Sequence, residues 1–299
     1  WCGNNEMASG YSEDHHLWTA QSFYSKLYFS TIKSNLSAVD PHRTWISSTP
    51  SQGNETSATP YNRNGSSVEL RGDMHFYGDT GVAANCWNVS EYPRARFVTE
   101  SGWESWPSFI TMQPTLDPND YGFNATVPVT RQQHPPGQQQ ITNNVVSNWL
   151  WPDTHAGTTA LGYRNELWMT QVAASQCLTS AIEFWRSTTN EFVNTSYALS
   201  PRGWAMLGGN AGVLYWQADD TWPGPSWSTI EVGGRLKVGH YAVQRLFAPL
   251  LVCGRITDND ELHVYFSRAS YAPLPSSPTS SSSSSSLSPS ASISSLSSP

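Results

Sequence analysis

Short strand-like runs alternate along this chain with longer segments of helical periodicity, and this alternation constrains the fold more than any other feature. The strand-like runs cover residues 43–47, 68–75, 95–99 and 212–216. Apolar residues recur at helical spacing over residues 17–32 and 167–185. Strands that alternate with helices are typical of βα units and a parallel sheet. The sequence therefore predicts an α/β fold.

The chain is poor in charge and rich in aromatic residues. It carries 16 Lys and Arg against 23 Asp and Glu, a formal net charge of −7, so nucleic acid is not an expected partner. No run of 18 apolar residues occurs, so no membrane span is expected. The 14 Trp residues stand among Asn, Gly, Pro and Ser. A surface rich in Trp and Asn suits a neutral polar ligand such as a sugar.

Composition divides the chain into unequal parts. Residues 272–299 contain 16 Ser and no aromatic or charged residue, so they are predicted to be a disordered Ser/Pro-rich tail. An O-glycosylated stalk and translated non-coding sequence both remain open for this tail. Residues 107–152 are rich in Pro, Gln and Asn and are predicted to form an inserted loop. Two strand-like pieces within residues 250–271 predict the start of an all-β domain.

The cysteines and the glycosylation sequons bear on the compartment. Four cysteines (Cys2, Cys86, Cys177, Cys253) lack C-x-x-C spacing, which argues against a zinc or redox motif. Three disulfide pairings and a buried free thiol at Cys177 all remain open. Six N-x-[ST] sequons occur, at Asn35, Asn54, Asn64, Asn88, Asn124 and Asn194. They favour a secretory or lysosomal protein.

Two glutamates each follow a strand-like run and stand among aromatic residues. Glu6 and Glu100 are 94 residues apart, and a (β/α)₈ barrel uses roughly 31 residues per βα unit. Three units would therefore separate them, at the ends of strands four and seven, and both side chains would face one pocket. Glycoside hydrolysis requires two carboxyl groups that flank the sugar. The alternative is that each glutamate is a solvated loop residue or a helix-capping partner.

Three sequence blocks are more specific than the glutamates alone. They are Trp1-Cys2-Gly3-Asn4-Asn5-Glu6, then Pro93-Arg94-Ala95-Arg96-Phe97-Val98-Thr99-Glu100-Ser101-Gly102-Trp103-Glu104-Ser105-Trp106-Pro107-Ser108, then Leu214-Tyr215-Trp216-Gln217 with Trp222, Pro225-Ser226-Trp227 and Phe247-Ala248-Pro249-Leu250. In this order they resemble the β-mannosidases of glycoside hydrolase family two, from Trp1 to about residue 267.

The resemblance implies a domain organisation. In that family the Asn-Glu pair ends the fourth barrel strand. Residues 1–249 would then form a partial TIM (β/α)₈ barrel, roughly strands four to eight, and residues 250–271 would begin a β-sandwich domain. The N-terminal β-domains and the first three barrel strands would precede Trp1, so we expect the given chain to be a fragment that is inactive alone.

The resemblance also assigns roles to the two carboxyl groups. Glu6 would be the general acid/base and Glu100 the nucleophile of a retaining, two-step mechanism, without metal or organic cofactor. Asn5 would hydrogen-bond the sugar beside the reacting carbon, and its alternative is a turn-forming Asn.

Four further residues are candidates for contact with the substrate. Tyr77 is expected to donate to Glu100, and His75 to contact Glu100 or the sugar. Trp216 would provide an apolar floor on which a pyranose stacks, and Trp103 is a further candidate. The alternative for His75, Tyr77 and Trp216 is packing in the core.

The expected activity is therefore that of a β-mannosidase. It would release terminal, non-reducing β-D-mannose from glycoprotein-derived oligosaccharides, in a lysosome or outside the cell. A β-galactosidase or β-glucuronidase of the same family is one alternative, although residues 1–3 and 104–107 favour the mannosidase. A catalytically dead, glycan-binding protein on a Ser-rich stalk is the other. The sequence does not indicate an oligomeric state.

Overall fold

The computed structural model describes residues 1–7, 22–51, 72–78, 85–152, 159–189, 192–194, 206–256 and 260–269. The α-helices are α1 (Lys33–Val39), α2 (Phe109–Met112), α3 (Thr126–Val129), α4 (Gly137–Asn148), α5 (Ala160–Ser187) and α6 (Val238–Leu246). A π-helix, Ser25–Ile32, runs directly into α1, and single 3₁₀ turns occur at Val89–Glu91, Gln113–Thr115 and Pro118–Asp120. The strands are β1 (Met74–Tyr77), β2 (Val98–Gly102), β3 (Phe192–Asn194), β4 (Met206–Gly208), β5 (Leu250–Ile256) and β6 (Leu262–Arg268).

Five extended segments that carry the site follow one another in chain order. Residues 1–6 are the first and residues 46–51 the second. Cys2 pairs in parallel with Ile46, and Asn5 pairs in parallel with Thr49. The third and fourth segments are β1 and β2, which form a parallel ladder. The fifth runs beside β2, where Val213 pairs in parallel with Val98. Parallel neighbours place the carboxyl ends of their strands on the same edge.

A buried carboxylate joins the second, third and fourth segments. The amide of Asp73, just before β1, donates to the Ser51 carbonyl (2.9 Å), and Asp73 Oδ1 accepts from the Ser51 amide (2.8 Å). Asp73 Oδ2 accepts from the hydroxyl of Thr99 in β2 (2.7 Å). Asp73 is 8% exposed, so these hydrogen bonds satisfy a group that would be costly to bury alone.

The predicted α/β class is confirmed, because parallel strands and helices alternate in the described part of the chain. A barrel is not resolved there. Within the described residues, the segment of residues 1–6 pairs only with the second segment, and residues 211–216 pair only with β2 among the five. The partial TIM barrel therefore stays a prediction.

The long helix α5 contributes more buried residues to the core beneath the strands than any other element. Its capping residue Thr159 accepts a hydrogen bond from the Gly162 amide (3.0 Å), which satisfies a donor of the first turn. The helix predicted over residues 167–185 is confirmed and extends further at both ends. One face of α5 packs against β1, β2 and α6. The buried apolar residues of this cluster include Phe76, Val98, Trp103, Ala181, Trp185, Val243 and Leu246.

Residues 107–152, predicted to form an inserted loop, instead contain the helices α2, α3 and α4. The buried face of α4 includes the polar Asn144 beside Ile141 and Val145, which hid the helical period in the sequence. A second apolar cluster joins this region to the first half of α5. Its buried members are Trp106, Met112, Tyr121, Phe123, Ile141, Tyr163 and Leu167.

Two cysteines left open by the sequence form a disulfide. Cys86 and Cys177 are bonded, and both are fully buried. The bond ties the chain ahead of β2 to the middle of α5. Cys2 is an exposed free thiol and Cys253 a buried one.

The predicted start of a β-sandwich corresponds to an antiparallel hairpin of β5 and β6. A sandwich is not seen among the described residues, so that domain stays a prediction. The predicted disordered tail, residues 272–299, lies outside the described residues. None of the described helices combines the length and the hydropathy that a bilayer crossing requires.

Candidate active site

Glu6 is held at the end of the first segment by backbone pairing and by its neighbour Asn4. The Glu6 amide donates to the Thr49 carbonyl (2.7 Å). Asn4 donates through Nδ2 to the Ser47 carbonyl (2.7 Å) and accepts from the Ser48 hydroxyl (2.7 Å). Glu6 has φ of 57°, in the left-handed region that a non-glycine residue adopts rarely. The local structure thus fixes a carboxylate whose side chain remains 48% exposed.

Glu100 lies in the middle of β2, opposite His75 of β1 in the parallel register. Tyr77, two residues further along β1, donates a hydrogen bond from its hydroxyl to Glu100 Oε2 (2.6 Å). Side chains two residues apart on a strand point to the same face, so the side chains of His75 and Tyr77 both point toward Glu100. The Glu100 side chain is 15% exposed.

His75 lies between the two glutamates. Its Nδ1 atom is 2.5 Å from Glu6 Oε1 and 3.3 Å from Glu100 Oε2, and its side chain is 5% exposed. Its other ring nitrogen, Nε2, is buried without a hydrogen-bond partner among the described residues. His75 thus approaches both carboxylates through a single ring nitrogen, Nδ1.

The structure brings Glu6 and Glu100 together despite their separation in sequence. One carboxylate oxygen of each, with Nδ1 of His75, lies within 4.8 Å of the others. The carboxyl groups of retaining glycosidases are about 5–5.5 Å apart, whereas inverting enzymes keep about 6.5–9.5 Å between them. The approach of Glu6 and Glu100 is therefore closer to the retaining spacing than to the inverting one.

The same three donor atoms are those that could hold a divalent cation. A histidine nitrogen and two carboxylate oxygens are common ligands of such ions. In this arrangement Nδ1 of His75 contacts Glu6 and the Tyr77 hydroxyl donates to Glu100.

Of the remaining predicted residues, Asn5 and Trp216 are exposed to solvent, whereas Trp103 is buried in the core. Asn5 is exposed beside Glu6, and its Oδ1 accepts from the Thr49 hydroxyl (3.0 Å). Trp216 is 43% exposed, and its amide donates to the carbonyl of Ser101, next to Glu100 (2.9 Å). Trp103 differs from the expectation. It is only 3% exposed and packs in the main apolar cluster, where a bound sugar could not stack on its face.

Two aromatic residues near Glu100 were not predicted as site residues. Trp227 packs edge-on against Tyr77, with ring centroids 5.8 Å apart. His134, from the region predicted to be a loop, stacks on Trp227 at 5.5 Å and an interplanar angle of 17°. Trp227 lies in a block that resembles the family, but no local pattern connects position 134 with position 227.

A buried cluster of charged side chains lies behind the stacked rings of His134 and Trp227. Lys237 is 1% exposed, and its Nζ donates to the Ser105 carbonyl (3.1 Å) and lies 3.6 Å from Asp220 Oδ2. Burial lowers the pKa of the Lys237 ammonium, and three carboxylates counteract this effect. They belong to Asp220, Glu231 and Glu104. Glu231 also accepts from the Ser108 amide and hydroxyl, so the cluster ties the chain after β2 to the chain after Trp216.

Known proteins resemble the chain in both sequence and fold. It is 33% identical over 277 residues to the β-mannosidase of Capra hircus, a match that covers 89% of this chain and 29% of that protein. It is 31% identical over 186 residues to β-mannosidase A of Aspergillus terreus, covering 60% of this chain and 19% of that protein. The crystal structure of the β-D-mannosidase of Dictyoglomus thermophilum superposes with a TM-score of 0.66 at 21% identity, over 89% of this chain and 28% of that one.

The mammalian sequence matches and the structural match cover the same share of this chain, and all of them are to β-mannosidases. No family model matches the chain. The chain spans about 29% of the length of the mammalian relatives that it matches. The similarity to the Dictyoglomus structure also covers 89% of the chain, and it shows the fold alone. The sequence similarity over nearly nine tenths of the chain establishes that it is homologous to the β-mannosidases of glycoside hydrolase family two.

Proposed function

We propose that this chain carries the catalytic carboxyl groups of a retaining β-mannosidase that releases terminal β-D-mannose from the non-reducing ends of glycoprotein oligosaccharides. The observation that carries the proposal is the approach of Glu6 and Glu100, with an oxygen of each within 4.8 Å. The choice of mannose as the substrate sugar rests on homology to β-mannosidases. The left-handed backbone of Glu6 adds support, since unfavourable backbone conformations are concentrated at functional sites.

The proposed reaction has two steps. In the first, Glu100 attacks the anomeric carbon of the mannoside while Glu6 donates a proton to the leaving oxygen, which forms a mannosyl ester on Glu100 and frees the aglycone. In the second, Glu6 accepts a proton from water, the water oxygen attacks the same carbon, and the ester bond breaks. Mannose leaves with its original β configuration.

The surroundings of the two carboxyl groups suit these different roles. Glu100 is mostly buried and accepts a hydrogen bond from Tyr77, while Nδ1 of His75 lies 3.3 Å away, and a donor of this kind stabilises a negatively charged nucleophile. Glu6 is half exposed at the open edge, where a proton can be exchanged with water. Asn5 and Trp216 lie on the same edge, and we propose that Asn5 binds a sugar hydroxyl and Trp216 the apolar face of the ring.

We also propose that the described residues form part of a TIM barrel and that the 299-residue chain is inactive alone. Three parallel pairings in chain order support the partial barrel. The chain spans 29% of its mammalian relatives, and an incomplete barrel would leave unpaired strand edges beside the site. Hydrolysis of an aryl β-mannoside by the purified chain would contradict this part of the proposal.

The test of function uses the complete gene product and 4-nitrophenyl β-D-mannoside. Wild-type protein should release nitrophenol, and Glu100→Ala should abolish release. Added azide should then attack the anomeric carbon from the vacated side and yield α-mannosyl azide. In Glu6→Ala, azide should instead intercept the mannosyl ester and yield the β-azide. Glu261→Gln, in a side chain 69% exposed on the hairpin, is the matched control and should retain full activity. Turnover above a few per cent in Glu100→Ala would remove the nucleophile assignment.

A panel of aryl glycosides tests which sugar the enzyme prefers. We expect the β-mannoside to be hydrolysed with the highest kcat/KM, ahead of the β-galactoside and the β-glucuronide. Preference for either of those would assign the protein to another specificity, and glycan binding without turnover would assign it a binding role.

We propose a lysosomal or secreted location. The disulfide between Cys86 and Cys177 supports it, since such bonds persist in oxidising compartments and are rare in the cytosol. Fractionation of the native source tests this location. Recovery of the protein in the cytosol with both thiols reduced would contradict it.

A further inference from the structure

The segment of residues 131–138, between α3 and α4, is attached to the chain that follows Trp216. Arg131 donates to the Pro223 carbonyl (3.1 Å), and its guanidinium lies 5.7 Å from the ring centroid of Trp222. At the other end of the segment, Gln138 Oε1 accepts from the Trp106 indole (3.0 Å). Anchors at both ends hold the residues between them in a defined place.

His134 lies between these anchors and stacks on Trp227. The two rings are nearly parallel, at 17°, with centroids 5.5 Å apart. Nε2 of His134 lies 2.8 Å from Gln140 Oε1, which fixes the rotation of the imidazole about its χ2 bond. The contact is therefore an ordered stack of two flat rings, the arrangement in which aromatic pairs attract.

Trp227 in turn contacts the strand pair that carries Glu100. It packs edge-on against Tyr77 at 5.8 Å. It also lies directly over Gly102, where an added Cβ would come within 2.9 Å of its Cδ1 atom. One face of the indole is thus covered by His134, and its edge limits where the Tyr77 ring can lie.

We propose that His134 is a positioning residue for the proposed nucleophile: it holds Trp227 against Tyr77, and so holds the Tyr77 hydroxyl on Glu100. The inference rests on the proposed function, because its effect is measured in the first step of that reaction. It assigns a role to a residue more than thirty positions beyond Glu100, in the region whose sequence predicted only a loop. His134 itself does not contact the sugar in this proposal.

The test compares His134→Ala with His134→Phe in the complete gene product. His134→Ala removes the stacked ring and should lower kcat/KM for 4-nitrophenyl β-mannoside by about two- to tenfold, the loss expected for one ring–ring contact. His134→Phe keeps a flat ring and should restore most of the activity. Gln133→Ala, in an exposed neighbour, is the matched control and should behave as wild type. The midpoint of thermal unfolding is measured for each variant.

A double-mutant cycle with Tyr77→Phe separates positioning from a general loss of stability. If His134 acts through the Tyr77 hydroxyl, then His134→Ala should change kcat/KM little in the Tyr77→Phe background. Equal losses in both backgrounds, or no rescue by His134→Phe, would overturn the inference. So would wild-type kcat/KM in His134→Ala. Absence of mannosidase activity in the wild-type protein would instead overturn the proposed function, and the two failures are therefore distinguishable.

Discussion

The hydroxyl of Tyr77 donates a 2.6 Å hydrogen bond to Oε2 of Glu100 across two parallel strands. The register that sets this contact also places His75 opposite Glu100, so β1 supplies both side chains that approach the carboxylate. Because His75 also reaches Glu6 at 2.5 Å, a single strand connects the two proposed catalytic groups. The position of β1 relative to β2 therefore matters for the chemistry as well as for the fold.

Removal of the Tyr77 hydroxyl should impair the first step of the reaction. A hydrogen bond to a charged group contributes about 1.5–3 kcal/mol, so Tyr77→Phe should lower kcat/KM by roughly ten- to a hundredfold. Steady-state kinetics with 4-nitrophenyl β-mannoside measures the loss. Tyr265→Phe, in a tyrosine of the hairpin, is the control, and its kcat/KM should not change. An unaltered kcat/KM in Tyr77→Phe would show that the hydroxyl does not assist Glu100.

Loss of His75 should affect both carboxyl groups, because its Nδ1 atom lies 2.5 Å from Glu6 and 3.3 Å from Glu100. His75→Ala removes the Nδ1 donor and leaves two carboxylates within 4.8 Å, so we expect kcat to fall at least tenfold. His75→Asn carries an amide donor near the position of Nδ1 and should recover part of the loss. Rates of nitrophenol release over a range of substrate concentrations separate kcat from KM. If both variants raised only KM, His75 would be a substrate ligand instead.

The sequence predicted the residues of the site better than their surroundings. Glu6 and Glu100 were predicted because each follows a strand-like run and stands in a block that resembles the family, although the structure places Glu100 within β2. His75 and Tyr77 were predicted from the family resemblance, and the alternation of side chains along β1 explains why both face Glu100. The burial of Trp103 was not predicted, since an aromatic residue near a strand end gives no sign of whether it faces a cleft or a core. Its 3% exposure depends on packing against α5, which only the tertiary structure reveals.

Contacts between distant segments could not be predicted from the sequence either. The stack of His134 on Trp227 joins residues more than ninety positions apart, and neither has a periodic neighbour that marks it. The same holds for the disulfide, because four cysteines allow three pairings and spacing does not choose among them. The helix α4 was missed for a local reason, the buried polar Asn144 on its inner face.

Loss of Lys237 should destabilise the fold. Its ammonium is the buried positive charge among three carboxylates, and removal of one member of a buried ion pair costs about 3–5 kcal/mol. Lys237→Met should therefore lower the free energy of unfolding, measured by urea titration. Asp220→Asn in the same chain removes one uncompensated charge and should recover part of the stability. A double variant no more stable than Lys237→Met would show that Asp220 is not the main partner.

Glu166 should make stability depend on pH. Burial raises the pKa of its carboxyl group above the usual value of about 4.3, so the folded chain binds this proton more tightly than the unfolded chain. Its contribution to stability is then fully present below that usual pKa and is lost as pH rises through the raised one. Glu166→Gln should remove this loss and flatten the curve of unfolding free energy against pH above about 4.3. An identical curve for both proteins would contradict the expected titration.

The disulfide between Cys86 and Cys177 should stabilise the fold, because it attaches the chain ahead of β2 to α5. Cys86 and Cys177 close a loop with a sequence separation of 91, and removal of a native disulfide typically costs about 2–5 kcal/mol. The double variant Cys86→Ala, Cys177→Ala should unfold at a lower urea concentration than wild type, and a reducing agent should lower only the wild-type midpoint. Cys2→Ala removes the exposed free thiol and should leave the midpoint unchanged. A wild-type midpoint insensitive to reduction would mean that the two thiols are not bonded in solution, and the disulfide would no longer support an oxidising compartment.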